Sequence, residues 1–319
     1  MNIHNQKQKI LVTGCFGFIG SHLCEKLVKL NYSVYGIDNL NKHNYFIQKK
    51  KNLKSLSKYK NFKFSLDDIR STKKILKWKP NIIINLASLA GVRDSLYYPQ
   101  KYIDVNINGQ VHLLNESVKN KVDMFIYASS SSVYGLNNKV PFSEVDTINK
   151  CNSPYACTKK SMEDFARLYH QLYNLPVIGL RFFTVYGPRG RPDMAPYKFM
   201  KAILDETEFT KYGDGNSSRD YTYIDDIVDG IIGAIKNKNN RKCEIYNLGN
   251  STSISLNKFI EICEIVCKKK AVYKQIENQL GDVPHTYADI SKAKKDLDYN
   301  PKTKSKAGLQ KLYDWLLVG

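Results

Sequence analysis

An α/β fold built on a doubly wound parallel sheet is what this sequence predicts, and three observations predict it. Short, nearly continuous apolar runs recur at Lys9–Thr13, Ser33–Ile37, Asn81–Leu86, Met124–Ser129 and Val177–Phe182, as expected of strands buried on both faces. Helical patterns separate these runs, after Gly20, near 100–120 and near 154–174, and such alternation implies a parallel sheet covered by helices. A loop with glycine at every third position, Gly14-Cys15-Phe16-Gly17-Phe18-Ile19-Gly20, joins the first run to the first helix.

In chain order, the first helix is expected to bury Leu23, Leu27 and Leu30 on one face. The second strand ends in Asp38. Ser153-Pro154 opens the 154–174 helix as a capping hydroxyl followed by proline in the first turn. Beyond about residue 185 the pattern is less regular, with turn clusters at Gly187–Arg191 and Gly213–Ser218 and an amphipathic last helix near 308–317 that packs back on the body. At 319 residues the chain is long enough for one large domain or two closely joined ones.

Composition excludes several classes. The chain is 42% hydrophobic and 25% charged, too apolar for a disordered protein, and no run reaches the roughly 18 apolar residues of a membrane span. The stretch Met1–Lys9 lacks the apolar core of a signal peptide. Seven cysteines contain no C-x-x-C pair, which argues against a disulfide framework or a metal cluster and suits a reducing cytoplasm. Basic residues outnumber acidic ones 49 to 30, yet 41 of the 49 are Lys and 8 are Arg. Lys, Asn, Ile and Tyr all have A/T-rich codons, so the charge reads as genome composition on solvated faces and not as a nucleic-acid site. It still favours a phosphorylated small molecule.

The glycine loop permits a tight turn and lets backbone approach a pyrophosphate at a helix N-terminus. Asp38, 24 residues after Gly14, stands where a carboxylate accepts hydrogen bonds from an adenosine ribose and repels a 2′-phosphate, which favours NAD over NADP. Cys15 lies near that helix N-terminus, which can lower a thiol pKa, although a small residue filling the loop is the simpler reading. Cys263 and Cys267, four apart, read as core. Tyr155 and Lys159 lie one helical turn apart on one face. A phenol of pKa near ~10 acts as a base at neutral pH only beside a cation, and Lys159 supplies one. Ser129, Ser130, Ser131 and Ser132 follow a strand, at the sheet end where open α/β folds bind ligands.

In these residues the chain resembles the extended short-chain dehydrogenase/reductase family nearly end to end: Thr13-Gly14 to Gly20, Asp38, Asp68-Ile69-Arg70, Asn85-Leu86-Ala87, Asn106, and Ser130 with Tyr155 and Lys159. The resemblance implies a Rossmann-type domain over 1–182 and a smaller C-terminal α/β substrate domain over 183–319, partly interleaved. It implies NAD held by Gly14, Phe16, Gly17, Phe18, Ile19, Gly20, Asp38 and Asn39, with Asp68 and Ile69 flanking adenine. Leu86, Ala87, Ser88, Asn106, Ser129 and Phe182 complete the implied cofactor site with Tyr155 and Lys159. Ser130 is implied to bind a sugar O4 hydroxyl beside Ser131.

The segment Arg181–Ala195 looks like UDP-glucuronate 4-epimerases, as do Ala90–Arg93, Gly281–Pro284 and Thr286–Asp289. By that likeness Ser88, Arg93, Thr184, Arg191, Tyr212 and Asp282 bind substrate, and Arg219, in a stretch like the diphosphate- and uridine-binding part of nucleotide-sugar enzymes, pairs with the diphosphate. Where 4,6-dehydratases carry Asp-Glu this chain has Ser131-Ser132; decarboxylases usually place Glu at Ser132; galactose epimerases place Asn at Thr184 and Arg at Gln279. Asn85 replaces the family's usual His, and Ser88 a frequent Ala. The expectation is therefore NAD-dependent 4-epimerisation of UDP-glucuronate by a cytoplasmic homodimer joined through the 100–120 and 154–174 helices, without nucleic acid, membrane or metal. The alternatives are a 4-epimerase of a neutral UDP-sugar, a UDP-glucuronate decarboxylase, or a non-catalytic dinucleotide-binding protein.

Overall fold

The computed structural model describes residues 8–41, 45–137, 139–148, 150–237, 242–277 and 283–318. The chain opens with β1 (Lys9–Thr13), α1 (Phe18–Lys29), β2 (Ser33–Asp38), α2 (Phe46–Leu56), β3 (Phe62–Leu66), α3 (Lys74–Trp78) and β4 (Ile82–Asn85). Two short helices, α4 (Val92–Tyr97) and α5 (Pro99–Tyr102), run through a π-helical stretch, Ile103–Asn108, into α6 (Gly109–Lys119). Next come β5 (Met124–Ser130), a 3₁₀ turn at Ser131–Tyr134, α7 (Pro154–Tyr173), β6 (Val177–Phe182) and β7 (Thr184–Tyr186). The remainder is α8 (Ala195–Leu204), β8 (Phe209–Tyr212), β9 (Ser218–Tyr223), α9 (Ile224–Lys236), β10 (Cys243–Leu248) and β11 (Ser253–Ser255). It closes with α10 (Leu256–Cys267), β12 (Tyr273–Ile276), α11 (Ser291–Leu297) and α12 (Ser305–Val318). Contacts within the chain divide it into two compact units.

The first unit comprises Met1–Ser129, Pro154–Leu180 and Ala234–Ile245. Its sheet has the strand order β10-β6-β5-β4-β1-β2-β3, with parallel pairing of β3 to β2, β2 to β1, β1 to β4 and β4 to β5. The central strands are buried because their residues are apolar on both faces: Ile10, Leu11, Val12, Ile82, Ile83 and Ile84 are all inaccessible or nearly so. Each such side chain contributes about 1.5–3 kcal/mol of burial free energy. Leu113, Leu114, Ala166 and Tyr169 pack from α6 and α7 against Phe125, Tyr127 and Val177 in one core.

Three local differences from the sequence reading have physical causes. In α1, Leu23 and Leu27 are buried with Cys24 and Val28, but Leu30 is 44% exposed. The helix ends at Lys29 and Asn31 adopts φ 71°, so the chain turns Leu30 off the buried stripe. Strand β3 escapes a pattern search because it is an edge strand with little burial after Phe62. The helix near 100–120 is three pieces, with the wider π turn carrying Asn106 into the interior; such turns often mark functional segments.

The second unit comprises Ser130–Ser153, Arg181–Gly233 and Tyr246–Gly319. It is more regular than its sequence suggests, because strands of three to six residues carry too little periodicity to be read. β11, β9 and β7 form one sheet, and β12 pairs with β8 in another. Tyr221 stacks on Phe259 of α10 at 4.1 Å. Cys263 and Cys267 are buried on that helix, Cys267 Sγ lying 3.9 Å from Met200 Sδ.

Asp220 holds this unit's turns together. Its carboxylate accepts hydrogen bonds from Asn250 N (2.7 Å), Ser251 N (3.0 Å), Ala288 N (3.2 Å) and Thr222 Oγ1 (3.1 Å). Burial pushes its pKa up to about 6 against the pull of those donors. Asp220→Asn would turn an amide NH₂ toward backbone N–H groups, and each stranded buried donor costs roughly 1–3 kcal/mol. Urea unfolding of this variant is expected to show a clear loss of stability; a wild-type midpoint would contradict the clamp. No helix among the described residues is long and apolar enough to cross a membrane.

Candidate active site

The glycine loop leaves β1 through Gly14, whose φ is +66° and whose N–H donates to the Ile37 carbonyl at 2.7 Å. A Cβ on Gly14 would stand 2.9 Å from Ala87 N, and one on Gly20 would collide with the Gly14 carbonyl. The chain therefore needs glycine at position 14 to bring the loop this close to the segment after β4, and at position 20 to bring α1 this close to the loop. Gly17 is the N-cap of α1 and makes no side-chain capping bond, so among the described residues the N-cap leaves the first-turn N–H groups for a ligand. That is the arrangement a pyrophosphate requires.

Asp38, at the end of β2, is only 3% exposed. Oδ2 accepts from Phe16 N at 3.2 Å, while Oδ1 accepts from Leu40 N at 2.9 Å and Lys49 Nζ at 2.8 Å. A carboxylate has about four acceptor positions, so Oδ2 keeps one for a ribose hydroxyl. Loop, uncapped helix and carboxylate together fit an adenine dinucleotide. Asn39 donates to Asp68 Oδ2 at 3.2 Å, bringing two expected cofactor residues together. Arg70 grips the same carboxylate through two bonds of 2.9 and 2.8 Å and holds the Asp68 pKa down at about 2. Ile69 is part of the hydrophobic core, Phe18 and Ile19 are half-buried at the start of α1, and Leu86, Ala87 and Ser88 are half-buried just after β4.

A chain of buried hydrogen bonds backs this loop. Ala87 N donates to Thr13 Oγ1 (3.1 Å), which donates to Asn85 Oδ1 (2.7 Å). Asn85 donates to Gln110 (3.3 Å), and Gln110 to the Met162 carbonyl on α7 (2.7 Å). Asn85 thus has a structural task. Asn106 is fully buried, accepting from Leu89 N (2.8 Å) and donating to the Leu89 carbonyl and Thr158 Oγ1 (both 3.0 Å). It fixes the loop after β4 to α7. Cys15 is buried, and burial, with Cys24 and Asp38, pushes its thiol well above the ordinary value. The N-terminus of α1 does not activate it.

On α7, Lys159 Nζ lies 5.9 Å from the Tyr155 ring centroid and donates to the Ala128 carbonyl of β5 at 2.8 Å. Burial brings the Lys159 pKa down to about 7, with Glu163 opposing the shift. Tyr155 is half-buried and meets Tyr102 edge-on at 6.1 Å. Ser129, an expected cofactor residue, gives its hydroxyl to Glu163 at 2.6 Å. Arg93 is exposed on α4, in this same unit.

The second unit carries the remaining candidates. Ser130 ends β5 and caps the 3₁₀ turn, its Oγ accepting from Ser132 N and donating to Ser132 Oγ, both at 3.2 Å. Ser131 is half-buried in that turn, Phe182 is buried at the end of β6, and Thr184 begins β7 opposite Tyr221. Arg191 Nε donates to Asp193 Oδ1 at 3.0 Å, and Nη2 bonds the other oxygen, so its fork already grips a carboxylate. Arg219 Nη1 donates to the carbonyls of Ser218 (2.9 Å) and Pro284 (3.4 Å). Tyr212 ends β8 beside a hollow of about 550 Å³ lined by Gly213, Asp214, Gln275, Ile276 and Glu277. Asp282 lies outside the described residues. Among the described residues, no group of three or more His, Cys, Asp or Glu could hold a metal ion.

Lys49, Gln110 and Glu163 lie outside the residues and motifs the sequence singled out, while Thr13 and Asp193 fall inside them without a role of their own. Only Glu163 had a local signal, an acid one turn beyond Lys159 on the same helix face.

Residues 10–249 match the profile of the NAD dependent epimerase/dehydratase family. The chain is 43% identical over 331 residues to Protein CapI of Staphylococcus aureus, which covers 97% of this chain and 98% of that one. It is 42% identical over 310 residues to a UDP-glucuronate 4-epimerase of Thermodesulfobacterium geofontis, covering 96% and 95%. The crystal structure of UDP-glucuronic acid 4-epimerase from Bacillus cereus, in complex with UDP-glucuronic acid and NAD, matches with a TM-score of 0.93 at 38% identity, covering 98% and 99%.

Proposed function

The chain belongs to the NAD dependent epimerase/dehydratase family, and from that premise we propose that it interconverts UDP-glucuronate and UDP-galacturonate. The observation that carries the chemistry is the Tyr155–Lys159 pair, with its ammonium anchored 2.8 Å from the Ala128 carbonyl. Tyr155 takes the proton from the sugar's C4 hydroxyl and later returns it. Lys159 makes this possible near neutral pH by stabilising the phenolate. Ser130 orients O4 through its hydroxyl. Bound NAD supplies the acceptor, and then the donor, of the C4 hydride. Gly14, Gly17 and Gly20 with the N-terminus of α1 hold its pyrophosphate, and Asp38 a ribose hydroxyl. The 4-keto sugar has to turn over between the two half-reactions, so UDP is gripped firmly and the sugar loosely. Arg219 pairs with the diphosphate, Tyr212 lies on the nucleotide side, and Thr184 leaves room for the sugar.

The hydride returns to where it started, so no cofactor is consumed. Purified protein is therefore expected to release NAD on heating and to turn over without added NAD. A supernatant containing no dinucleotide, or NADP alone, would overturn the assignment of Asp38.

One observation favours a neutral UDP-sugar: Asp193 already fills the Arg191 fork. An acidic sugar has to displace that carboxylate. Parallel rates on UDP-glucuronate, UDP-glucose and UDP-N-acetylglucosamine separate the two readings, the acidic sugar being expected to lead.

The proposal includes a cytoplasmic homodimer. Leu168, Leu172 and Tyr173 on α7, and Tyr97, Tyr98 and Ile103 before α6, are exposed apolar side chains on helices that pack together, and exposed apolar surface of this kind is what a partner subunit covers. Light scattering is expected to give twice the 36.6 kDa chain mass, and Leu168→Glu with Leu172→Glu the monomer; a monomeric wild type would refute the pairing. Seven free thiols suit the cytoplasm, and recovery in a membrane pellet would contradict that location.

A further inference from the structure

Helix α7 presents a third polar group on the face that carries Tyr155 and Lys159. Glu163 lies one turn beyond Lys159, and both are 1% exposed. Buried charges persist only when paired and hydrogen-bonded. The two side chains grip consecutive residues of one strand: Lys159 donates to the Ala128 carbonyl at 2.8 Å, and Glu163 accepts from Ser129 Oγ at 2.6 Å. The reaction above gives Lys159 a task and leaves Glu163 without one.

We propose that Glu163, oriented by the Ser129 hydroxyl, is a positioning residue that keeps the Lys159 ammonium charged and aimed at the Tyr155 phenol. Burial alone drives Lys159 toward the neutral amine, and among the described residues Glu163 is the one charge acting against that drift. Tyr102 faces Tyr155 from α5. Of the other charged or titratable groups on helices packed against α7, Arg93 and Asp94 on α4 and Lys101 on α5 are exposed, Asp104 on the π-helical stretch accepts from Gln100 and Asn108, and on α6 His112 bonds the Thr72 carbonyl and Glu116 is paired with Lys119. A neutral Lys159 would return the phenol toward its ordinary pKa and empty the base.

The kinetic side of this inference rests on the epimerase reading, but its direct test does not. Lysine labelled with ¹³C at Cε is followed by NMR titration, with the Lys159 signal assigned by its disappearance in Lys159→Arg. Glu163→Gln keeps an acceptor for Ser129 and removes the charge. The Lys159 midpoint is expected to fall by about one pH unit. The alkaline limb of the kcat profile should fall with it, while KM changes by less than about twofold. Ser129→Ala, which leaves the charge but frees the carboxylate, is expected to move the midpoint the same way by less, and it carries the test if Glu163→Gln does not fold. An unmoved midpoint, or a uniform loss of kcat with unmoved limbs, overturns the role. A shifted midpoint in a protein that turns over no UDP-sugar supports the coupling and sinks the activity assignment alone.

Discussion

Tyr155→Phe is expected to lower epimerisation by roughly 100- to 10,000-fold, the usual range for loss of a general base. Phenylalanine keeps the ring and its edge-on contact with Tyr102 at 6.1 Å, so the local packing survives and only the hydroxyl is removed. Lys159 then has no phenolate to stabilise, although its bond to Ala128 remains. UDP affinity is expected to persist, because the proposed diphosphate contact is Arg219, in the other unit. Initial rates with UDP-glucuronate and calorimetric titration with UDP separate the two effects. Near-wild-type turnover would remove Tyr155 from the mechanism, and lost UDP binding would show that the substitution had damaged more than the base.

Arg191→Ala carries the second large effect. Oxidising C4 of UDP-glucuronate makes a β-keto acid, which loses CO₂ when the bond to its carboxylate aligns with the carbonyl π system. An epimerase has to hold the carboxylate out of that alignment, and a planar guanidinium does so with two parallel hydrogen bonds where Lys cannot. Arg191 displays this capacity in its two-pronged grip on Asp193. A hydrogen bond to a charged group contributes about 1.5–3 kcal/mol, so kcat/KM for UDP-glucuronate should fall roughly 10- to 150-fold. Some product should then appear as a UDP-pentose, while turnover of neutral UDP-sugars is spared. Unchanged kinetics and product ratio would remove the residue-level reason for an acidic substrate and leave Arg191 as an anchor for its own loop.

What the sequence made legible was local. The glycine spacing, the carboxylate closing the second strand and the Tyr155–Lys159 turn each depend on neighbours within one element, and the central strands announce themselves because Ile82–Ile84 and Leu11–Val12 are apolar on both faces. What stayed hidden was tertiary. Lys49 reaches Asp38 from α2, 11 positions on, with no pattern linking them. The Thr13–Asn85–Gln110 chain joins residues 72 and 25 positions apart. Asn106 was a cofactor contact only by the family resemblance, and no local pattern showed that the π turn carries it inward, where its amide is bonded to Leu89 and Thr158. Strand β3 was missed for the opposite reason, since an edge strand needs little apolar patterning.

The central claim, reversible C4 oxidation of an acidic UDP-sugar with the hydride returned to the same carbon, is tested most directly by incubating the purified protein with UDP-glucuronate in D₂O, without added NAD, and analysing the product by ¹H NMR. The account predicts UDP-galacturonate that keeps protium at C4. Deuterium at a sugar carbon, a UDP-pentose with CO₂ as the main product, or no conversion of UDP-glucuronate beside turnover of a neutral UDP-sugar would contradict it.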